Sequence, residues 1–260
     1  MEQILDIYAQ TNALRDVDTR LKLLLGVCAI IIGVASQSPA APFFIALSMA
    51  VITVALAKIP VRLYASLITI PVSFAIFSGI VILLMSGGGE PIITFSFAGF
   101  SIGATTASAN LALLVVMRTF GGMCSLYFIA LTTPITEIFS VMNTLRLPRG
   151  LIDLSMLIYH FIFVLIGETI SIHTAQVLRH GYDSFKNSLQ SFAMLGAMVF
   201  VRAWQQGEEL VIAMDARCYD GKLELTDESR KPGRVGVGAT IVYLSGCAWL
   251  AWITATITIF

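Results

Sequence analysis

Two short polar signatures, each at the end of a long apolar run, carry the residue types best suited to recognising a partner. The first is Leu178-Arg179-His180, followed by Gly181-Tyr182-Asp183. The second, 38 residues later, is Ala216-Arg217-Cys218, followed by Tyr219-Asp220-Gly221. Arginine presents a permanently charged planar fork that pairs bidentately with a carboxylate, and at a helix C-terminus it complements the helix dipole. A single copy would indicate only a helix cap, whereas two matched copies favour contact with a pair of related acidic grooves.

Composition sets the class of protein that must hold these two signatures. The chain has 260 residues, of which 57% are hydrophobic and 12% charged, about half the charged fraction of a soluble domain. This composition predicts an integral membrane protein. The formal net charge is zero, so bulk charge favours no polyanionic partner and we expect no binding of nucleic acid. The polar N-terminal stretch does not have the pattern of a secretory signal peptide.

Apolar runs predict about five transmembrane helices, because a helix needs roughly 20 residues to cross a bilayer. The predicted spans cover residues 21–35, 42–57, 63–85, 104–131 and 235–260. Residues 92–103 form a mildly apolar connection that we expect to be extended or partly re-entrant. Gly79, Gly121 and Gly122 are small enough to allow close packing of the helices. Arg118 interrupts the fourth span, and we expect it near the cytoplasmic end of its helix or paired inside the bundle.

Basic residues predict the orientation of these spans. They precede the first span, lie between the second and third, and precede the last, whereas the connections 36–41 and 86–103 have none. By the positive-inside rule, the N-terminus and residues 132–234 face the cytoplasm. The expected organisation is an N-terminal membrane bundle at 1–131, a cytoplasmic coupling-helix region at 132–234 and a C-terminal transmembrane helix at 235–260.

The apolar stretch 151–170 within the middle region has two interpretations. It could be a further span, with residues 192–201 as part of another. However, Asp153, His160 and Glu168 interrupt the first stretch, and an ionisable group at mid-bilayer costs a few kcal/mol. We therefore favour long amphipathic helices at the cytoplasmic face, with Arg179 and Arg217 projecting into water. The fold class predicted from the sequence is an all-α integral membrane protein with long cytoplasmic coupling helices.

Metal and nucleotide chemistry find little support in the sequence. His160, His173 and His180 have no cysteine or carboxylate at ligand spacing, so no metal site is predicted. The four cysteines are isolated and are expected to be free. The chain has no GxxxxGK[ST] loop, so nucleotide hydrolysis would belong to another polypeptide. We call the two signatures, Leu178-Arg179-His180 and Ala216-Arg217-Cys218, the two tips. Two matched cytoplasmic tips fit a dimeric partner, which we expect to be a nucleotide-hydrolysing protein.

The sequence resembles a known family over nearly its whole length. The residues that carry the resemblance are Val17-Asp18-Thr19-Arg20-Leu21-Lys22-Leu23-Leu24, Arg118-Thr119, Leu131-Thr132-Thr133-Pro134, Leu145-Arg146-Leu147-Pro148-Arg149, Tyr159-His160-Phe161-Ile162-Phe163-Val164-Leu165, Phe200-Val201-Arg202-Ala203 and Ala213-Met214-Asp215-Ala216-Arg217-Cys218-Tyr219-Asp220-Gly221. Together they resemble the transmembrane T component of energy-coupling factor (ECF) transporters, and most specifically the CbiQ-type subunit of cobalt or nickel importers.

The resemblance implies a non-catalytic coupling subunit in a prokaryotic cell membrane. In that family, two X-Arg-X motifs dock on two ATP-binding-cassette subunits, which bind ATP and magnesium. The matching positions here are Leu178-Arg179-His180 and Ala216-Arg217-Cys218, whereas the family commonly has Ala-Arg-Gly or Ala-Arg-Ser. A separate CbiM-like membrane subunit would hold the substrate, so we expect no cofactor or metal on this chain.

Two alternatives remain from the sequence. A T component of a vitamin importer would share the same features with a different cargo. A self-sufficient secondary transporter or channel would instead line its path with Arg118, His160 and Glu168. Such carriers usually have matched repeats with broken helices, and the sequence contains no repeat of this kind.

Overall fold

A computed structural model describes residues 8–15, 17–85, 91–97, 100–144, 147–219 and 233–254 of the chain. Its described residues are mainly helical, as expected when backbone polar groups must be satisfied within each apolar segment. They belong to two compact units. One contains the described residues of Met1–Ile138 and Glu228–Phe260, and the other contains those of Phe139–Asp227.

The first unit is a bundle of apolar helices. Helix α1 is Thr19–Ala35, and α2 is Ala40–Val51, which continues as a π-helix at Ile52–Leu56. Helix α3 is Val61–Met85 and contains Pro71. Helix α4 is Thr106–Thr132, and the last helix of the chain, α8, is Arg234–Ile253. These helices agree in order and approximate extent with the five predicted spans.

A short hairpin lies between α3 and α4. Strand β1, Pro91–Phe97, pairs antiparallel with β2, Phe100–Thr105. The extended conformation agrees with the expectation for the connection 92–103. Thr105 then begins α4 with a reciprocal capping box, because its hydroxyl accepts from the Ser108 amide and the Ser108 hydroxyl accepts from the Thr105 amide.

The second unit is built on two long helices that pack against each other. Helix α5, Ile135–Thr144, begins in the first unit and ends in the second. Helix α6 is Arg149–Leu178, with 30 residues, and α7 is Phe185–Asp215, with 31 residues. Each is about 45 Å long at about 1.5 Å per residue. The two arginine signatures therefore lie at the C-terminal ends of the two longest helices of the described chain.

Four described helices are long and apolar enough to cross a membrane. The qualifying stretches are Val61–Leu84, Thr106–Thr132, Gly150–Leu178 and Gly236–Ile253, whereas Ala40–Leu56 is apolar but shorter. The chain is thus a multi-pass membrane protein. Because the stretch 150–178 is long and apolar enough to cross a membrane, its location at the cytoplasmic face stays a prediction. The cytoplasmic position of residues 132–234 as a whole also stays a prediction.

Close helix packing in the bundle depends on a small residue of α4. A methyl group on Gly121 would lie 2.9 Å from the backbone carbonyl oxygen of Pro42 in α2, which is shorter than an ordinary contact. The predicted packing role is confirmed for Gly121, and also for Gly79, where an added carbon would contact Val116. The role predicted for Gly122 is wrong, since an added carbon there meets nothing within 4 Å.

Arg118 is paired inside the bundle, which confirms one of its two predicted positions. Its guanidinium donates two hydrogen bonds to the Ser36 carbonyl oxygen, with Nε at 3.1 Å and a terminal nitrogen at 2.5 Å. Ser36 is the C-terminal cap of α1, where carbonyl groups lack partners within the helix. The charge of Arg118 therefore complements the negative end of the α1 dipole.

Candidate functional site

Helix α6 ends in a tight turn built by the first arginine signature. The Arg179 amide donates to the Gln176 carbonyl at 3.2 Å, and the His180 amide donates to the Val177 carbonyl at 3.0 Å. The Gly181 amide then returns to the Gln176 carbonyl at 2.9 Å. These bonds satisfy carbonyl groups that the end of a helix leaves without partners.

Helix α7 ends with the same pattern of hydrogen bonds, shifted by 38 residues. The Arg217 amide donates to the Met214 carbonyl at 3.0 Å, and the Cys218 amide donates to the Asp215 carbonyl at 3.0 Å. The Tyr219 amide returns to the Met214 carbonyl at 3.1 Å. Each arginine therefore occupies the same place in an equivalent helix terminus, which is the arrangement that the repeated sequence pattern led us to expect.

The residue after each arginine adopts the left-handed backbone conformation. His180 has a φ of 58° and Cys218 a φ of 56°. Helices very commonly end with such a residue, which is usually glycine because a Cβ atom is disfavoured there. The third position of an X-Arg-Gly motif would suit this conformation, and this chain places histidine and cysteine there instead. At His180, Nδ1 also lies 3.0 Å from the Asp183 carboxylate.

Side chains from both helices fix the loop after the first arginine. The Gln176 amide donates to the Ser191 carbonyl at 3.0 Å, and the Tyr182 hydroxyl donates to the Gln176 side-chain oxygen at 2.8 Å. The Ser191 hydroxyl donates to the Gly181 carbonyl at 2.8 Å. A Cβ atom at Gly181 would lie 2.7 Å from that hydroxyl oxygen, so glycine allows the close approach. The first tip is therefore a preorganised turn.

All six residues of the two X-Arg-X signatures are exposed: Leu178, Arg179, His180, Ala216, Arg217 and Cys218. Leu178 in particular leaves 78% of its surface accessible. Neither arginine forms an ion pair with another described residue. Of the supporting turn, Gly181, Tyr182, Asp183 and Tyr219 are described, whereas Asp220 and Gly221 lie outside the described residues. Both guanidinium groups are thus accessible to an acidic partner surface.

The other candidate residues do not converge on a metal site. Within the described ranges, no group of three or more histidine, cysteine or acidic residues could hold a metal ion. The four cysteines are free, with Cys124 and Cys247 buried and Cys218 exposed. The rings of His173 and Tyr182 have centroids 5.0 Å apart, so His173 packs against the loop that follows Arg179.

A buried polar cluster in the first unit was not predicted from the sequence. The Lys22 ammonium donates to the Thr132 carbonyl at 3.1 Å, and the Asn12 amide donates to the same oxygen at 3.3 Å. Lys22 leaves only 3% of its surface accessible. The cluster joins two of the stretches that carry the family resemblance, at 17–24 and 131–134. A lysine inside an otherwise apolar helix was the available signal, but its partner lies 110 residues away.

The fold and the two matched tips define a helical multi-pass membrane protein with a paired recognition site, and the comparisons with known proteins identify its family. Residues 10–227 match the CbiQ family, described as cobalt transport protein. The chain therefore belongs to the CbiQ family, the CbiQ-type transmembrane T components of ECF transporters.

Three relatives represent the range of similarity. A protein of Methanocorpusculum labreanum named as a fused cobalt transport protein, CbiMQ, is 53% identical over 87% of this chain and 38% of its own length. The cobalt transport protein CbiQ of Salmonella typhimurium is 27% identical over 56% of this chain and 67% of its own. The energy-coupling factor transporter transmembrane protein EcfT of Bacillus selenitireducens is 28% identical over 63% of this chain and 64% of its own.

Proposed function

We propose that this chain couples ATP hydrolysis by two partner subunits to transport of a substrate held by a separate membrane subunit. The observation that supports the proposal most directly is the repeated helix terminus, which presents Arg179 and Arg217 in the same local geometry. Two equivalent arginine forks on one chain are complementary to two equivalent acidic grooves. A dimer of ATP-binding subunits would supply such a pair.

The proposed mechanism begins with binding at the two tips. Each guanidinium pairs with a groove carboxylate, and the left-handed residue beside it turns the chain away so that the fork stays accessible. When ATP binding and hydrolysis change the separation of the grooves, the helix ends move with them. Helices α6 and α7 are continuous over 30 and 31 residues, so displacement at one end reaches the other. Packed interfaces switch between discrete arrangements because they do not deform smoothly.

The proposed cargo is a cobalt ion, with nickel as the nearest chemical neighbour. The proposal rests on the family and on the names of the relatives CbiMQ and CbiQ. The fused relative also supports a CbiM-like substrate-binding partner, since its name joins both components in one polypeptide. A vitamin cargo is the alternative outcome, and substrate identity is decided by which membrane subunit copurifies with the tagged chain.

We further propose that the chain lies in a prokaryotic cell membrane with its N-terminus and both tips in the cytoplasm. Exposed Arg15 precedes α1 and exposed Arg20 lies in its first turn, whereas Lys58 precedes α3 and Arg62 lies in the first turn of α3. The positive-inside rule places these basic residues on the cytoplasmic side. This orientation brings Arg179 and Arg217 to the compartment that supplies ATP.

Charge reversal at both tips tests the proposal. In a strain that expresses the complete transporter, the double variant Arg179→Glu and Arg217→Glu should lose copurification of the ATPase subunits. Each charged hydrogen-bonded contact is typically worth about 1.5–3 kcal/mol, so losing both should weaken binding by more than about 100-fold. Pull-down with a tagged chain in mild detergent measures the loss, and radiolabelled cobalt uptake should fall in parallel.

Lys186→Glu is a matched control, because it makes the same charge change at an exposed position on the first turn of α7. It should leave copurification nearly unchanged. The single arginine variants should retain more binding than the double variant, since one tip still docks. Normal cobalt uptake by the correctly inserted double variant would exclude the tips as the docking site.

A further inference from the structure

The buried cluster around Lys22 lies where α4 ends and α5 begins. Helix α4 ends at Thr132, and Pro134 follows before α5 starts at Ile135. The Lys22 ammonium and the Asn12 amide both donate to the Thr132 carbonyl, at 3.1 and 3.3 Å. Two side chains from the N-terminal part of the chain therefore satisfy a carbonyl that has no partner within α4.

A second contact connects the same part of the chain to α5. The Thr19 hydroxyl donates a hydrogen bond to the Glu137 carboxylate, which lies in the first turn of α5. Thr19 is the first residue of α1, and Lys22 lies one turn later. The start of α1 is thus bonded both to the end of α4 and to the start of α5, on either side of Pro134. We call Lys22, Asn12, Thr19 and Glu137 the joint cluster.

Stability alone does not account for a buried lysine at position 22. Its surface is only 3% accessible, and removing an ammonium from water is costly unless it is paired. The carboxylates of Glu137 and Asp18 attract the ammonium and offset part of this cost. Replacing such a buried charge network with apolar side chains often leaves stability unchanged or improves it. The buried charge of Lys22 therefore points to a role in holding a specific geometry.

We propose that Lys22 is a positioning residue for transport: with the rest of the joint cluster it keeps α5 fixed to the bundle, so that movement of the second unit is not lost by bending at Pro134. Helix α5 contains Glu137 in the first unit and continues to Thr144 in the second, so one of the two places where the chain passes between the units lies within this helix. The inference rests on the proposed coupling function, within which it gives Lys22 a positioning role.

The test is the Lys22→Met variant in the complete transporter reconstituted into liposomes. Methionine has a similar length but no donor, so the bond from position 22 to the Thr132 carbonyl is lost while the volume is nearly kept. We expect the ATPase subunits to copurify and to hydrolyse ATP, whereas cobalt transported per ATP hydrolysed should fall about fivefold or more, the lower range of typical coupling effects. Arg15→Met is the matched control, because it removes an exposed cation nearby and should leave that ratio unchanged.

The ratio separates positioning from a general structural role. A merely destabilised complex would lose transport and hydrolysis together and keep the ratio of the unmodified protein, which would overturn the inference. If Lys22→Met fails to assemble, Thr19→Val decides, because it removes only the hydroxyl that bonds Glu137; an unchanged ratio in that variant would also overturn it. Failure of the unmodified chain to copurify with ATPase subunits would instead refute the proposed function itself.

Discussion

Replacing Gly121 with alanine should force two helices of the bundle apart. The added carbon would lie 2.9 Å from the Pro42 carbonyl oxygen, whereas ordinary contacts begin at 3.4 Å. The obstacle is backbone, so no rotation of a side chain can relieve the contact, and α2 and α4 must separate locally by about 0.5 Å. Overpacking of this kind typically costs about 1–3 kcal/mol.

The neighbouring variant Gly122→Ala isolates that cost. Both positions lie in the middle of α4, so alanine gains about 1 kcal/mol of helix propensity at each. At Gly122 nothing lies within 4 Å of the added carbon, so only this gain applies. The difference between the two variants should therefore equal the overpacking term of about 1–3 kcal/mol, with Gly121→Ala the less stable. By the scaling for domains of this size, its Tm should be about 2–12 °C below that of Gly122→Ala.

Buried cysteines provide the assay. Cys124, one turn after Gly121, is 3% accessible, and Cys247 is 1% accessible. A fluorogenic maleimide reacts with these thiols only when the bundle opens, so its signal on heating reports unfolding of the detergent-solubilised protein. The exposed Cys218 and the partly exposed Cys28 are replaced with serine in all samples to remove their background.

Equal unfolding temperatures for the two variants would refute the reasoning, because they would mean that the helices separate at no cost at this contact. A lower temperature for Gly122→Ala than for Gly121→Ala would contradict it more strongly. The comparison does not depend on the proposed transport function, since it measures only the packing of α2 against α4.

Two further predictions concern the second tip. A membrane-impermeant maleimide should label the exposed Cys218 in inside-out vesicles and not in intact cells, and labelling only from outside would exclude a cytoplasmic tip. Cys218→Gly should keep or improve ATPase-subunit binding in pull-down titrations, because glycine adopts the φ of 56° freely, whereas Cys218→Val should weaken it by about tenfold, since a left-handed conformation costs a bulky residue about 1–2 kcal/mol. Equal binding by these two variants would show that the turn at Cys218 does not affect docking.

Much of the fold could be predicted because its signals are local. A run of apolar residues predicts a helix in a membrane, and the ends of α3 and α4 fall within a few residues of the predicted spans. The arginine signatures were recognisable for the same reason, because Arg179 directly follows α6 and Arg217 lies two residues after the end of α7. The resemblance added the family, which residues 10–227 confirm.

Contacts between distant parts of the chain could not be predicted in this way. The same reasoning placed both Gly121 and Gly122 in a helix interface. In the structure α2 packs against the side of α4 that carries Gly121, whereas Gly122 has no neighbour within 4 Å of an added carbon. Arg118 had two possible positions, and its bonds to the Ser36 carbonyl select the interior of the bundle. In both cases the sequence indicates the kind of residue but not the helix face that meets a neighbour.

By itself the sequence determined that this is a helical membrane protein of the CbiQ family with two arginine-tipped helices, because hydrophobic runs and helix-end motifs are written within a few consecutive residues. The tertiary structure decided that His180 and Cys218 both adopt the left-handed conformation, and that Lys22 reaches the Thr132 carbonyl, 110 residues away at the end of α4. Such pairings depend on which helices pack together, and only the folded chain brings them within bonding distance.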